Sequence, residues 1–349
     1  MTSARGLARR LLESQETGLV IVVTLLVFAL AALAGSHPDR VTGATVNNFL
    51  NSNTLIQVAT DASFFAIMAI GATIVIISGG IDLSVGSIYA FAGVSMALAL
   101  RAWGPASTTA IVVVGFVTSV GVGLLCGVLN GLLVVGLRVH PFIITLGTMW
   151  VLRGIAFVTT KAESILVPLQ LTSVTKASLG LRGGLYPVPM LVMIMLTILG
   201  WIYLTRTVMG RHIFAFGGNI EASRFAGLAL GKIQLGVFAV SGLTGGLAAF
   251  LGASFYGSAS SGDGQGYELY VIASAVVGGA SLIGGKGSAI GATLGALLIV
   301  LIRQSIRTLH FDQNYEWIVI GCAIIVAVVI DRWSAGITAR RLSRSAAAA

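Results

Sequence analysis

The chain has 349 residues, of which 56% are hydrophobic and only 9% charged, with a formal net charge of +9. Soluble domains carry about 25% charged residues, so this composition excludes a water-soluble globular protein. It also excludes a nucleic-acid reader, because the basic excess has no soluble face with base-reading side chains to sit on. The apolar runs are continuous, without the alternation of barrel strands, which makes the fold class an all-α polytopic membrane protein.

Crossing about 30 Å of hydrocarbon takes roughly 20 apolar helical residues. Taken in chain order, qualifying runs lie near residues 18–35, 54–78, 84–101, 108–136, 141–160, 187–204, 234–256, 267–284, 287–307 and 315–331, a bundle of about ten transmembrane helices. The first ends in Ala32-Leu33-Ala34-Gly35, which mimics a signal-peptidase site, but its length and the spans that follow mark an uncleaved first helix. Residues 1–17 are then an N-terminal tail, 18–332 the transmembrane domain and 333–349 a basic, Ala-rich C-terminal tail.

Lys and Arg set the orientation, since cytoplasmic loops retain them. With the N-terminus inside, the cytoplasmic side holds Arg5, Arg9, Arg10, Arg138, Arg206, Arg211, Arg224, Lys232, Lys286, Arg332, Arg340, Arg341 and Arg344. The outside holds Arg40, Arg101, Lys161, Lys176, Arg182, Arg303 and Arg307, and Arg153 falls within a span. Both tails are therefore expected to be cytoplasmic. The positive charge is a topology signal.

The 45 glycines include Gly123, Gly127 and Gly131, and Gly287, Gly291 and Gly295, a four-residue spacing that lets helix backbones approach closely. Cys126 and Cys322 both fall in apolar runs and read as small buried side chains. Neither Gly-rich loop suits a nucleotide. Gly284-Gly285-Lys286-Gly287-Ser288 has Gly where a P-loop needs Ser or Thr after the Lys, and Ala280 stands where its first Gly should be. Gly262-Asp263-Gly264-Gln265-Gly266 falls outside the membrane. No His, Cys or carboxylate cluster has metal-ligand spacing, and no nucleophile elbow is present. The expectation is a transport protein with no cofactor, metal or catalytic residue of its own.

The longest cytoplasmic loop, about 206–233, carries a helical stretch. Asn219 can cap it, Glu221 sits in the first turn where the helix dipole favours a carboxylate, and Gly231 can end it. It reads as a docking element for a soluble partner or as an ordinary amphipathic connector.

Within that loop, Glu221-Ala222-Ser223-x-x-x-Gly227 resembles the Glu-Ala-Ala-x-x-x-Gly signature by which ABC importer permeases engage their ATPases, with Ser223 in place of the second Ala and no closing Leu-Pro. Four further segments resemble the ribose/xylose/arabinose-type branch. They are Gly79-Gly80-Ile81-Asp82-Leu83-Ser84-Val85-Gly86-Ser87; Pro141 to Thr148; Gly210-Arg211-His212-Ile213-Phe214-Ala215-Phe216-Gly217-Gly218-Asn219; and Gly266-Tyr267-Glu268-Leu269 followed by Gly278 to Gly287. The likeness covers about residues 45–331.

It implies a permease subunit in a bacterial inner membrane. Such a subunit pairs with a second copy or a paralogue, receives a monosaccharide from an extracytoplasmic binding protein, and docks a cytoplasmic ABC ATPase that holds the ATP and Mg. It also implies that Gly210, Arg211, Gly217, Gly218, Asn219, Glu221, Ala222, Ser223 and Gly227 form the ATPase-coupling loop.

Gly79 to Ser87 places two glycines and Asp82 between apolar runs, a broken helix or tight re-entrant turn that is tolerated only inside protein or along a cavity. Intramembrane polar groups are the candidates for the translocation pathway. Asp61 and Arg153 read either as pathway groups or as a mutual ion pair, and Asn130 as an interhelical hydrogen-bonder. Tyr267, Tyr270 and Ser274, at i, i+3 and i+7, present one helix face for stacking on a sugar or for an interfacial aromatic belt; Glu268 beside them is counted with the pathway. Two other functions stay open: an ion-coupled secondary carrier, and an ABC permease for another small polar solute such as an amino acid.

Overall fold

The computed structural model describes residues 15–38, 43–104, 107–181 and 185–323, with 325, 326 and 329 beyond them. Most of the expected N-terminal tail, all of the C-terminal tail, and Arg40 and Arg182 lie outside the described residues. The long helices are α1 (Gln15–Leu33), α2 (Ser52–Ile77), α3 (Val85–Trp103), α4 (Thr108–Leu137) and α5 (Pro141–Thr160). After the short α6 (Leu169–Thr175) come α7 (Val188–Arg206), α8 (Val208–Gly218), α9 (Ile220–Phe225), α10 (Leu230–Tyr256), α11 (Tyr267–Val277) and α12 (Ala289–Thr308). A further helix, α13, covers 315–323. Two antiparallel clips were not anticipated: β1 (Ser36–Pro38) with β2 (Thr45–Asn47), and β3 (Ile165–Leu166) with β4 (Ser258–Ala259).

Among the described residues eight helices are long and apolar enough to cross a membrane. The expected span 267–284 departs from this. Its helix stops after 11 residues at Val277, and residues 278–288 run irregularly to α12. Hydropathy is blind to the cause: Gly279, Gly284 and Gly285 adopt positive φ, which ends a helix however apolar its neighbours. The irregular backbone is satisfied by protein, with Ala280 N donating to Ala275 O (2.9 Å), Ser281 N to Lys286 O (3.1 Å) and Gly285 N to Ile77 O (2.8 Å).

The helices sort into a buried core and an outer ring. In its most apolar window α2 is 94% buried, against 11% for α1, 17% for α5 and 22% for α7. Glycine makes the tightest seam, between α4 and α10. A Cβ on Gly123 would strike Gly242 O and the Gly246 backbone, and one on Gly127 would strike Phe238 O; Gly242 and Gly246 meet α4 reciprocally. Ser119 Oγ adds a 2.7 Å bond to Gly246 O. Gly291 and Gly295 of α12 pack likewise on Gly278 and Ser274, whereas Gly287 precedes the helix. Cys126 is buried as expected, but Cys322 is exposed because it lies on the outward face of the peripheral α13.

Helix starts follow side-chain caps: Asn51 Oδ1 accepts from Thr54 N (2.9 Å), Ser107 Oγ from Ala110 N (3.2 Å) and Ser288 Oγ from Gly291 N (2.9 Å). The turns at Gly79 and Gly284 lie against the end of α8. The β3–β4 clip follows the far end of α10, and the 257–266 loop returns from it to the start of α3, where a Cβ on Gly86 would strike Gly264 O.

Candidate functional site

At the first broken segment, α2 closes with Ser78 N, Gly79 N and Gly80 N donating to Ile74 O, Ile76 O and Val75 O, and Gly79 has φ 81°. The chain then turns inside the protein. Asp82 Oδ1 accepts from Ser84 N (2.9 Å) and Ser84 Oγ (2.6 Å), and Oδ2 accepts from Ser241 Oγ of α10 (2.7 Å). Asn130 Nδ2 of α4 donates to Ser84 Oγ (2.7 Å). Thr145 Oγ1 of α5 donates to Ile81 O (3.1 Å) and accepts from Leu83 N (3.2 Å). These groups tie the broken segment to α4, α5 and α10, and Asp82, Ser84, Asn130, Thr145 and Ser241 are all buried. Asn130 and Asp82 thus meet through Ser84, a residue of the quoted motif that the sequence did not single out.

At the start of α11, Tyr267 packs with tilted rings 4.7 Å from Phe65 and 5.6 Å from Tyr89. Tyr270 OH donates to Glu316 Oε1 (2.8 Å), and Arg303 Nε lies 2.7 Å from the same oxygen, its guanidinium over the Phe65 and Tyr270 rings at 5.6 and 5.2 Å. The two tyrosines therefore share one aromatic cluster around Phe65. Ser274 is buried and its hydroxyl donates to Tyr270 O (2.7 Å). Arg303 and Glu316 were missed as site residues because their partner Tyr270 lies on a third helix.

Asp61 and Arg153 do not form an ion pair with each other. Asp61 Oδ1 accepts from Gln57 Nε2 (2.9 Å) and, at 3.4 Å, from Tyr256 OH. Arg153 Nη1 donates to the carbonyls of Ser261 (2.7 Å) and Asp263 (2.5 Å), clasping the 257–266 loop. Each charge has neighbours on its own side of the bundle, which hydropathy could not order. Burial pushes the Asp263 carboxyl above the usual carboxylate range, against the opposing pull of the Ser260 N–H and Arg153. Glu268 sits in the first turn of α11 against Gly86, where a Cβ would lie 2.6 Å from Glu268 Oε2.

The loop read as one helix is two. Thr207 caps α8 and Asn219 caps α9, its Oδ1 accepting from Ala222 N (2.9 Å). Gly231 does not end the helical stretch: α9 stops at Phe225, Gly227 takes φ 77°, and Gly231 already belongs to α10. Gly210 lies against the Tyr203 and Leu204 carbonyls at the α7–α8 corner, and Gly217 against Ile77 O. Arg211, Gly218, Asn219, Glu221 and Ala222 are exposed and Ser223 is buried. On α9, Ile220 is 47% and Phe225 89% exposed, an apolar pair on a six-residue polar helix. A cavity of about 580 Å³ opens beside it, lined by Gly79, Gly80, Arg138, His140, Arg224 and Gln234 among others.

A helical bundle with eight candidate membrane spans among the described residues, two broken segments and an exposed short helix fits a membrane permease. The chain belongs to the family described as branched-chain amino acid transport system / permease component, which matches residues 54–328. It is 35% identical over 309 residues to the ribose import permease protein RbsC of Haemophilus influenzae, covering 88% of this chain and 91% of that one. It is also 35% identical over 284 residues to the D-allose transport system permease protein AlsC of Escherichia coli, at 81% and 85% coverage. With the fructose import permease protein FrcC of Rhizobium meliloti it shares 30% identity over 290 residues, at 82% and 79% coverage. The apolar helices and these relatives define a multi-pass protein of a bacterial inner membrane. The family decides against the secondary-carrier alternative.

Proposed function

We propose that this chain is the permease subunit of an ATP-driven importer of a monosaccharide, a ribose-like pentose or a hexose. The amino-acid alternative is disfavoured because relatives at 30–35% identity are permeases for ribose, allose and fructose. The observation that carries the mechanism is α9: a capped helix projecting Ile220 and an 89% exposed Phe225 beside Glu221 and Arg224. An apolar tip with charged neighbours at the membrane edge suits insertion into a groove of a soluble ATPase, which would hold the ATP and Mg. Arg138, Arg206, Arg211, Arg224, Lys232 and Lys286 cluster at this end, supporting a cytoplasmic orientation for it and for both tails, 1–17 and 333–349.

In this reading residues 18–332 form the permease domain, 206–233 is its ATPase-facing loop, and two permeases, identical or paralogous, enclose the path. ATP-driven closure of the ATPases pushes on α9, and the two halves of the permease pair rock so that the path opens alternately outward, to a sugar-binding protein, and inward. Asp82 with Asn130 is the pathway group at depth; Asp61, Tyr267, Tyr270, Arg153 and Glu268 flank the outer mouth. Glu221→Lys or Gly227→Trp is expected to abolish ATP-coupled uptake while membrane insertion persists, measured as radiolabelled sugar uptake beside the amount of chain in the membrane. Normal uptake in both variants would refute the assignment of this loop.

A further inference from the structure

The outward face of α9 meets the partner under the reading above; the opposite side of the same segment carries a second feature. Gly217, the penultimate residue of α8, lies against the Ile77 carbonyl and the Gly285 amide, and a Cβ there would collide with the former and come within 2.9 Å of the latter. Those two groups are themselves bonded, Gly285 N donating to Ile77 O at 2.8 Å. That bond joins the end of α2 to the irregular stretch after α11, and Gly217 is seated on it.

The surroundings are equally bare of side chains. A Cβ on Gly284 would stand 2.7 Å from Gly217 O and 3.2 Å from Gly79 Cα, and one on Gly285 would stand 3.0 Å from Gly218 Cα. Gly79, Gly284 and Gly285 all hold positive φ, so these close backbone approaches are built into their turns. Buried Ile213 and Phe216 anchor α8 just before the contact.

We infer that Gly217 and the two turns around Gly79 and Gly284 form a backbone clamp through which displacement of α8–α9 moves both broken segments of the permease together. Side-chain contacts absorb small displacements by changing rotamer, whereas main chain touching main chain has no such slack. The same displacement reaches Asp82, five residues beyond Ile77, and through Ser84 and Ser241 the helices α4 and α10. Gly217 is thus a positioning residue for transport. This rests on α9 being the ATPase-docking helix.

The test uses the whole complex, permease with its copurified ATPase, in liposomes supplied with loaded sugar-binding protein. Sugar uptake and ATP hydrolysis are recorded together for wild type, Gly217→Ala and Gly236→Ala. Gly236, on α10 outside the coupling loop, is the internal control, since a Cβ there meets nothing within 4 Å. The clamp predicts that Gly217→Ala assembles with the ATPase but transports about tenfold less sugar per ATP, while Gly236→Ala keeps the wild-type ratio. A wild-type ratio in Gly217→Ala overturns the clamp and leaves the ATP-driven reading intact; a wild-type chain that transports without any ATPase overturns both.

If Gly217→Ala does not accumulate, hydrogen exchange on the wild-type complex decides. Between nucleotide-free and vanadate-trapped states, the clamp predicts that residues 74–80, 214–219 and 282–287 change protection together. A change at 214–219 with both turns unaltered overturns it.

Discussion

Glycine serves opposite purposes in the α4–α10 seam and in the turns at Gly79 and Gly279. In the seam, Gly123, Gly127, Gly242 and Gly246 sit in unbroken helices and act by having no Cβ, so that the two backbones touch. In the turns, Gly79 and Gly279 act through positive φ, at 81° and 95°, and stop helices that hydropathy alone would continue. The seam gives the bundle a rigid spine. The turns give it two places where main chain is free of helical hydrogen bonding and is held instead by Asp82, Thr145 and Gly285. A transport machine needs both, a frame that does not deform and segments that do.

The sharpest way to break this contrast is to fill the seam. Gly127→Leu would drive a side chain into Phe238 O and the Gly242 backbone, and overpacking of this kind costs about 3 kcal/mol or more. Loss of the detergent-solubilised protein from the monodisperse peak, or a collapse of its melting temperature, is the expected outcome. Asp82→Ala comes next. It leaves Ser84 and Ser241 hydroxyls buried without their acceptor, at about 1–3 kcal/mol each, and it is expected to abolish uptake; Asp82→Asn keeps an acceptor and should recover most of the melting temperature but not transport.

A smaller effect is expected from Gly79→Ala. The nearest atom to an added Cβ is 3.9 Å away, so only the φ 81° backbone resists, at about 1 kcal/mol. Gly236→Ala, in open space within α10, should be neutral or stabilise the protein by about 0.5 kcal/mol through helix propensity. Equal losses at Gly79 and Gly236 in a thermal-shift series would show that the φ argument is wrong.

How much of this was legible follows from the same contrast. Spacing identified the seam, because Gly123, Gly127 and Gly131 recur every four residues, and the pair Gly79-Gly80 beside Asp82 marked the first break. The second break was read through as a helix, since Ala273 to Ile283 is apolar apart from serine and glycine, and only the backbone geometry reveals positive φ at Gly279. The pathway candidates were individually visible but could not be grouped. Asp61 and Arg153 invited pairing as opposite charges within spans, yet Asp61 is held by Gln57 and Tyr256 and Arg153 by the 257–266 loop, partners that no periodicity locates. Ser84 and Thr145 lay within quoted motifs but, like Ser241, were not singled out, because a hydroxyl in an apolar span is ordinary until its partner is known. Phe225 was overlooked because an exposed ring looks in sequence like any core residue.

The central claim, ATP-driven sugar transport through α9, is tested most directly by one reconstitution. The chain and its copurified ATPase are placed in liposomes with loaded sugar-binding protein, and sugar uptake is followed with ATP, without ATP, and with Phe225→Asp. The account predicts uptake only with ATP, and its loss together with loss of bound ATPase in Phe225→Asp. Uptake that proceeds without ATP, or that is unchanged by Phe225→Asp, would contradict it.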